Sequence, residues 1–251
     1  MKTGLNKYYI CIPQEISKKA NLNTDIKAIF IDPGLKNFLT CYDPSGNIII
    51  IGKKDIERIA RLQHHRNKLQ SKVAKAETHK RRYCLKKALK RMNERIKNLV
   101  DDMHKKITKF LCDNYNNIYI PKLNFHNIPK LNKKHKAKLV AYRHCEFVER
   151  LKNKTREHEQ CKIFEINEAY TCINTSSCKA ETCSNCGAID RNLRNKDEYK
   201  CVHCNNYILR DINGAVNIML RYFSNRAFVD FSKENSSSAL SPTPCGLDLK
   251  I

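Results

Sequence analysis

The apolar positions change period several times along the chain, and each change marks a different kind of element. Residues 7–13 (KYYICIP) alternate and predict a strand. Residues 26–31, 36–42 and 48–51 predict three more, with Asp43-Pro44-Ser45-Gly46-Asn47 as the turn between the last two. The chain is therefore expected to open as an antiparallel β meander. From residue 55 to about 76 the spacing lengthens to threes and fours, carrying Ile56, Ile59, Leu62, Leu69, Val73 and Ala76. From about 82 to 111 the same spacing carries Leu85, Leu89, Met92, Ile96, Leu99, Met103, Ile107 and Phe110. Two long helices folded back on each other, a hairpin over about 55–113, bury both stripes.

After the hairpin the period shortens and lengthens again. Residues 117–120 (NIYI) predict a strand, and 136–157 an amphipathic helix with Leu139, Phe147, Val148 and Leu151. Residues 161–167 (CKIFEIN) predict another strand. A cysteine-rich insert over 178–209 leads into a last helix over 211–223, with Ile212, Ala215, Val216, Ile218, Met219 and Leu220. From 224 on, serine and proline accumulate, which predicts a loose tail. The order β-β-β-α-α-β-α-β-(insert)-α suits an α/β fold with a mixed sheet flanked by helices, as in the RNase H fold.

Charge changes this picture from a fold to a partner. The 251 residues suffice for one full domain plus a small appendage, and 48 Lys and Arg against 25 Asp and Glu leave a net charge of +23. Such an excess points to a polyanion, either nucleic acid or an anionic membrane surface. No apolar run reaches the roughly 18 residues of a membrane span, and no signal-peptide pattern opens the chain, so neither spanning nor secretion is expected. With 41% apolar residues, global disorder is not expected either. The excess is concentrated in the hairpin, where residues 53–109 hold 20 Lys and Arg and 6 Asp and Glu. A merely solvated face mixes its signs, whereas a phosphate-binding face does not. Arg81, Arg82, Lys86 and Lys90, near the hairpin turn, are the candidate nucleic-acid contacts.

Ten of the thirteen cysteines divide into two kinds. Cys11, Cys41, Cys84, Cys112, Cys145 and Cys161 stand singly in apolar segments and read as buried free thiols. Cys183-x-x-Cys186 and Cys201-x-x-Cys204 are paired knuckles, separated by fourteen residues. That is the pattern of tetrahedral S₄ coordination, a closed structural zinc site. Cys178 and His203 lie close enough in sequence to compete as ligands. A second constellation is dispersed. Asp32 ends an apolar strand before Pro33-Gly34, Glu168 follows the strand CKIFEIN, and Asp211 opens the last helix. Carboxylates at strand ends and a helix start can converge on one sheet edge and hold Mg²⁺, although each alone also reads as a turn or cap residue.

These residues resemble a known family. Ile29-Phe30-Ile31-Asp32-Pro33-Gly34-Leu35-Lys36-Asn37-Phe38 looks like the first RuvC motif of the TnpB proteins, the OrfB-type, transposon-associated RNA-guided nucleases. Glu168-Ala169-Tyr170-Thr171, followed by Thr182-Cys183-Ser184-Asn185-Cys186-Gly187, looks like their stretch around the first zinc knuckle. Arg210-Asp211-Ile212-Asn213-Gly214-Ala215-Val216-Asn217-Ile218 looks like the third RuvC motif. The resemblance spans roughly residues 26–223. It implies an RNase H-like (RuvC) mixed sheet with a long antiparallel helical hairpin and a zinc-ribbon insert. The implied organisation is a remnant of a wedge or β-barrel domain over 1–25, a RuvC-like domain over 26–177, a zinc ribbon over 178–209, a final helix over 210–223 and a flexible tail over 224–251.

The resemblance also assigns roles. Asp32, Glu168 and Asp211 would be catalytic and hold two Mg²⁺ ions; a structural Zn²⁺ would sit on the four cysteines; the partners would be guide RNA and target DNA, with no membrane. The usual family glutamate follows a short strand, but here that stretch reads Ile120-Pro121-Lys122-Leu123-Asn124. The eukaryotic and giant-virus branch, Fanzor, also lacks it there and is thought to use a glutamate just ahead of the zinc knuckle, the position of Glu168. The stretch 172–181 looks like an insertion, so Glu165 and Glu181 are the fallbacks. The expected protein is intracellular, and nuclear if its source is eukaryotic or a virus of eukaryotes. Two functions remain open: an RNA-guided, metal-dependent DNA endonuclease, or a truncated chain that holds zinc and nucleic acid without cutting.

Overall fold

A computed structural model describes residues 8, 10–13, 15–18, 26–122, 133–166, 181–190, 198–230 and 246–248. β1 (Ala28–Pro33), β2 (Leu39–Tyr42) and β3 (Ile48–Ile51) form the antiparallel meander. The turn between β2 and β3 closes because Asp43 accepts the Gly46 and Ser45 N–H groups through its carbonyl and carboxylate, while Gly46 takes φ 92°. α1 (Lys53–Ala74) and α2 (His79–Asn114) form the hairpin. β4 (Asn117–Pro121) then runs parallel to β1, and β5 (Lys162–Ile166) parallel to β4. Between them lie α3 (Lys133–Tyr142) and α4 (His144–Thr155). Two small hairpins follow, β6 (Glu181–Thr182) with β7 (Ile189–Asp190), and β8 (Glu198–Lys200) with β9 (Tyr207–Leu209). β9 runs straight into α5 (Arg210–Asp230), and β10 (Gly246–Asp248) lies parallel to β3. The sheet order is β10-β3-β2-β1-β4-β5.

Alternation along the strands sorts side chains onto two faces. Ile29, Ile31, Leu39, Cys41, Ile118 and Ile120 pack against Ile56 and Ile59 of α1, Val100 to Leu111 of α2, and Phe147 and Leu151 of α4. Phe30, Tyr119 and Ile166 face the other way, onto Ile218 of α5, and Tyr42 and Ile48 onto Ile212, Ala215 and Val216. The result is a mixed sheet between two helical layers.

Several expectations need correction. Tyr8 forms only an isolated bridge and residues 10–13 form no strand; Ile10 and Ile12 are exposed, so among the described residues there the alternation buries no side chain. The helix over 136–157 is two helices, broken at Arg143, which adopts a left-handed φ of 52°. No glycine or proline marks the break. Bonds to α2 hold it: His104 Nε2 lies 2.9 Å from the Tyr142 carbonyl, and the Arg143 and Arg150 guanidinium groups lie 2.9 and 2.6 Å from Asp101. The last helix runs on to Asp230, and residues 246–248 pair with β3, so the stretch after 224 is not simply a tail. Of the six single thiols only Cys41, Cys112 and Cys161 are buried; Cys84 and Cys145 fall on outward helix faces, and Cys11 lies in the exposed opening segment.

The break at Arg143 also places a second histidine in the core. His144 stacks on Phe38 at 4.6 Å, and His104 lies 5.2 Å from the same ring. Burial pushes both imidazoles down to about 4; at His144 the neighbouring His104 adds to the effect and the Gly34 backbone offsets part of it. The folded values lie below the ordinary 6.5, so between pH 6.5 and about 4 the unfolded chain binds protons that the folded chain refuses. Stability is full above that window and falls as pH drops through it, by at most about 3 kcal/mol per histidine. Urea unfolding at pH 7.5 and pH 5 should show the loss, and His144→Phe, which keeps the stack, should recover about half of it.

Candidate functional site

β1, β4 and β5 are parallel, so their C-terminal ends share one edge of the sheet. Asp32, next to last in β1, has the same parity as Phe30 and so faces α5. It approaches the helix backbone closely: a Cβ at Gly214 would stand 2.6 Å from Asp32 Oδ2. Asp211 lies three residues before Gly214, on the same face of the helix. The loop between β1 and β2 reaches Asp211 too, since Asn37 Nδ2 donates to Asp211 Oδ2 at 3.1 Å. That loop is tight, with the Gly34 N–H bonded to the Phe38 carbonyl and no room for a Cβ at Gly34 against the Asn37 carbonyl. Asp211 also lies in the first turn of α5, where the helix dipole favours its charge. Asp32 and Asp211 are thus brought to one patch of helix, with Asn37 as an orienting group that sequence reasoning overlooked.

The third carboxylate is a different matter. Glu168 lies outside the described residues. Of the fallbacks, Glu165 faces away from α5: it is level with Ile120, and its carboxylate pairs with Lys152 of α4 at 2.7 Å. Glu181 opens β6, and its side chain is outside the described residues. The end of β4 offers Pro121 and Lys122, and the Lys122 N–H serves the ladder by donating to the Ile166 carbonyl.

The four knuckle cysteines converge, with all their sulfurs within 4.8 Å of one another. The Cys183–Cys204 and Cys186–Cys201 sulfurs are 3.7 and 3.6 Å apart. Four sulfurs about 2.3 Å from one tetrahedral metal stand about 3.8 Å apart, so the spacing fits a bound ion. The two knuckles have the same backbone: Gly187 and Asn205, each just after the second cysteine, take φ 72° and 55°, and each donates its N–H to the first cysteine's carbonyl. At Cys201 the Cys204 N–H, against the cost of desolvation and with help from the His203 N–H, holds the thiol down at about 6. Among the described residues the cluster consists of these cysteines without His203; Cys178 is outside those residues.

Sequence reasoning missed how this unit is docked. Asn213 Oδ1 accepts the Ser184 N–H at 2.9 Å, and Asn213 Nδ2 donates to the Thr182 carbonyl at 2.9 Å. Asn217 Nδ2 donates to the same carbonyl at 2.7 Å. Both asparagines are buried, one turn apart on α5. The signal in the sequence was an i,i+4 asparagine pair on the otherwise apolar stretch 212–220, within the motif Arg210–Ile218.

The basic arm is long. α2 has 36 residues, about 54 Å at 1.5 Å each, and its fully buried positions begin only at Val100. Before that, the predicted stripe of Leu85, Leu89 and Met92 is half-buried against α1, leaving the charged faces in solvent. Arg81, Arg82, Lys86 and Lys90 are all exposed at the free end. Arg82 also closes the hairpin turn, where its Nη2 donates to the Ala76 carbonyl at 2.7 Å beside the Thr78 cap on the Arg81 N–H.

A family model named OrfB_IS605 and described as "Probable transposase" matches residues 11–132, and a second, the Cas12f1-like TNB domain, matches residues 144–218. Two TnpB-like proteins of Acanthamoeba polyphaga mimivirus are each 28% identical over 221 residues, 85% of this chain and 40% of theirs. A transposase homologue of Paramecium bursaria Chlorella virus 1 is 22% identical over 88% of this chain and 48% of its own. The chain therefore spans less than half the length of these curated relatives.

Replacing Arg81, Lys86 and Lys90 with glutamine should weaken binding to any nucleic acid and flatten the plot of log affinity against log salt by roughly 2 to 3 units. Titration at several salt concentrations measures the slope; an unchanged slope would make this face a solvated one. Arg82→Gln should in addition lower the hairpin's helicity.

Proposed function

The chain belongs to the TnpB-like family of OrfB-type transposases, and from that premise we propose that it is the nuclease core of a transposon-associated, metal-dependent, RNA-guided DNA endonuclease. The observation that supports the reading is the approach of Asp32 to Gly214, together with the Asn37–Asp211 bond, on the first turns of α5, at the edge where β1, β4 and β5 end. The sheet, three antiparallel strands followed by two parallel additions beside β1, supports an RNase H-like, RuvC-type core. Residues 26–177 are read as that core with its hairpin, 178–209 as a zinc ribbon, and 210–223 as the part of α5 that completes the core.

The hard oxygen donors of Asp32 and Asp211 fit Mg²⁺, and the glycine at 214 lets the Asp32 carboxylate lie directly on the helix. Glu168 is the third ligand in this reading. It follows Ile166 by two residues, and Ile166 faces α5, whereas Glu165 is committed to Lys152. Two Mg²⁺ ions, when bound, supply Lewis acidity to the attacking and leaving oxygens of a phosphodiester. The protein's own part is to hold the carboxylates convergent, through Asn37 on Asp211 and the bare backbone at Gly214 under Asp32. The S₄ site suits one structural Zn²⁺, and the basic arm suits the backbone of a guide RNA or its heteroduplex, with sequence read by base pairing. Such a protein would act inside the cell, in the nucleus of a eukaryotic host, and among the described residues no helix is long and apolar enough to cross a membrane.

A second reading, nucleic-acid binding without cleavage, is favoured by the absence of a carboxylate at Pro121 and Lys122, where β4 ends. One experiment separates the two. Protein co-expressed with its flanking transposon sequence and purified with the RNA it retains should cut matching DNA in Mg²⁺ but not in EDTA, and Asp211→Ala should reduce cutting to background. Retained RNA with no Mg²⁺-dependent cleavage would leave the binding reading.

Metal analysis of the same preparation should find about one Zn²⁺ per chain. Cys186→Ser should lose it and unfold the two small hairpins, since structural zinc contributes on the order of 10 kcal/mol to such modules. A zinc-free protein prepared without chelator would refute the S₄ assignment.

A further inference from the structure

The strongest unassigned feature is the way the cysteine unit is tied to the helix that carries Asp211. It is tied three times. Asn213, two residues after Asp211, bonds the Thr182 carbonyl and the Ser184 N–H, the backbone groups on either side of Cys183. Asn217, one turn further, takes the same Thr182 carbonyl. The second knuckle needs no hydrogen bond, because β9 continues covalently into α5 at Arg210. Ile208 of β9 packs both on the cysteine cluster and on Ile212 and Val216 of α5.

A metal on the four sulfurs would close the remaining side of this loop. It would join Cys183 and Cys186 of one hairpin to Cys201 and Cys204 of the other. One hairpin is then held to α5 through the asparagines and the other through the chain itself. The first turn of α5 lies between them, and its far side presents Asp211 to Asn37 and Gly214 to Asp32. A single ligand event at the cysteines therefore fixes the start of α5, provided that both asparagine contacts are made.

We infer that Asn213 and Asn217 are positioning residues, which make the placement of Asp211 depend on metal bound at the four cysteines. The inference rests on the reading of Asp32 and Asp211 as a cation site, and it goes beyond that reading by making the two metal sites communicate. Buried asparagines that only satisfy backbone groups would affect overall stability without affecting this dependence. Coupling through them is reciprocal, so cation binding at the carboxylates also tightens the thiolate site.

The test compares hydrogen exchange over residues 210–218 in full chain loaded with Zn²⁺ and in chain stripped by a chelator. In the natural sequence, stripping should speed exchange there roughly fivefold or more. In the Asn213→Ala/Asn217→Ala double variant, Co²⁺ should still give the charge-transfer and d–d bands of four thiolates, yet exchange over 210–218 should be fast and nearly insensitive to metal. Asn217→Ala alone, which keeps both Asn213 bonds, should be intermediate; it also decides the matter if the double variant does not fold. Metal-dependent protection of undiminished size in the variants would overturn the inference. Mn²⁺ titration followed by electron paramagnetic resonance separates the two claims. No Mn²⁺ bound by zinc-loaded natural protein would retire the carboxylate reading, while hydrogen exchange would still judge whether the asparagines transmit order to α5. Where Mn²⁺ does bind, its affinity should be lower in the natural sequence once zinc and then the chelator have been removed, and should not depend on zinc in the double variant.

Discussion

The close approach of β1 to α5 is the constraint on which the rest of the site depends. Asp32 can rest against the helix only because position 214 carries no side chain, and the helix can lie there only because Phe30, Tyr119 and Ile166 form a flat apolar bed beneath Ile218. The stacking of Phe30 on Tyr119 at 4.5 Å, and of Tyr119 on Phe164 at 4.8 Å, continues that bed across three parallel strands. A helix displaced by even a methyl group would lose both the packing and the close approach of Asp32 to Gly214. Stability and candidate chemistry therefore pull the same contact tight.

The other two features of the protein are attached to this contact from opposite directions. The cysteine unit docks on α5 from outside the sheet, through Asn213 and Asn217. The basic arm leaves from the opposite face, where the lower part of α2 is buried against β1, β2 and β4 while its upper part stands free. The six-stranded sheet between them bears both loads. On the arm side the core is polar in places: His104 anchors the Tyr142 carbonyl, and Asp101 gathers Arg143 and Arg150. Those bonds orient α4 across the root of the arm, and the burial of the His104 and His144 imidazoles makes that root sensitive to acid.

Such an arrangement keeps three kinds of chemistry apart along one chain. The excess lysines and arginines sit on an exposed helical pair, where charge is well solvated and repulsion is tolerable. The carboxylates sit at a sheet edge, where strand ends and a helix start deliver side chains from distant parts of the sequence to one place. The cysteine thiols sit in two short hairpins too small to possess a core of their own, with Tyr199 as the one large side chain they bury completely among the described residues. A metal is the natural substitute for the missing core in such a unit.

Much of this was legible in the sequence, for a definite reason. The hairpin, β3, β4 and the paired cysteine knuckles are encoded by spacings of two, three or four residues, and such spacings are local. The family resemblance was legible in the short stretches around Asp32, Cys183 and Asp211, whereas spacing alone could not join aspartates 179 residues apart. Only the tertiary structure decided what depends on distant partners. It broke one predicted helix at Arg143, because Asp101 and His104 on another helix compete for its polar groups. It directed Glu165 to Lys152 and away from α5, because strand parity assigns a face only once the layers are stacked. It made Arg82 a turn-closing group and made Asn37, Asn213 and Asn217 the orienting ones, since a hydrogen bond across 31, 35 or 174 residues leaves no periodic trace in the sequence that forms it.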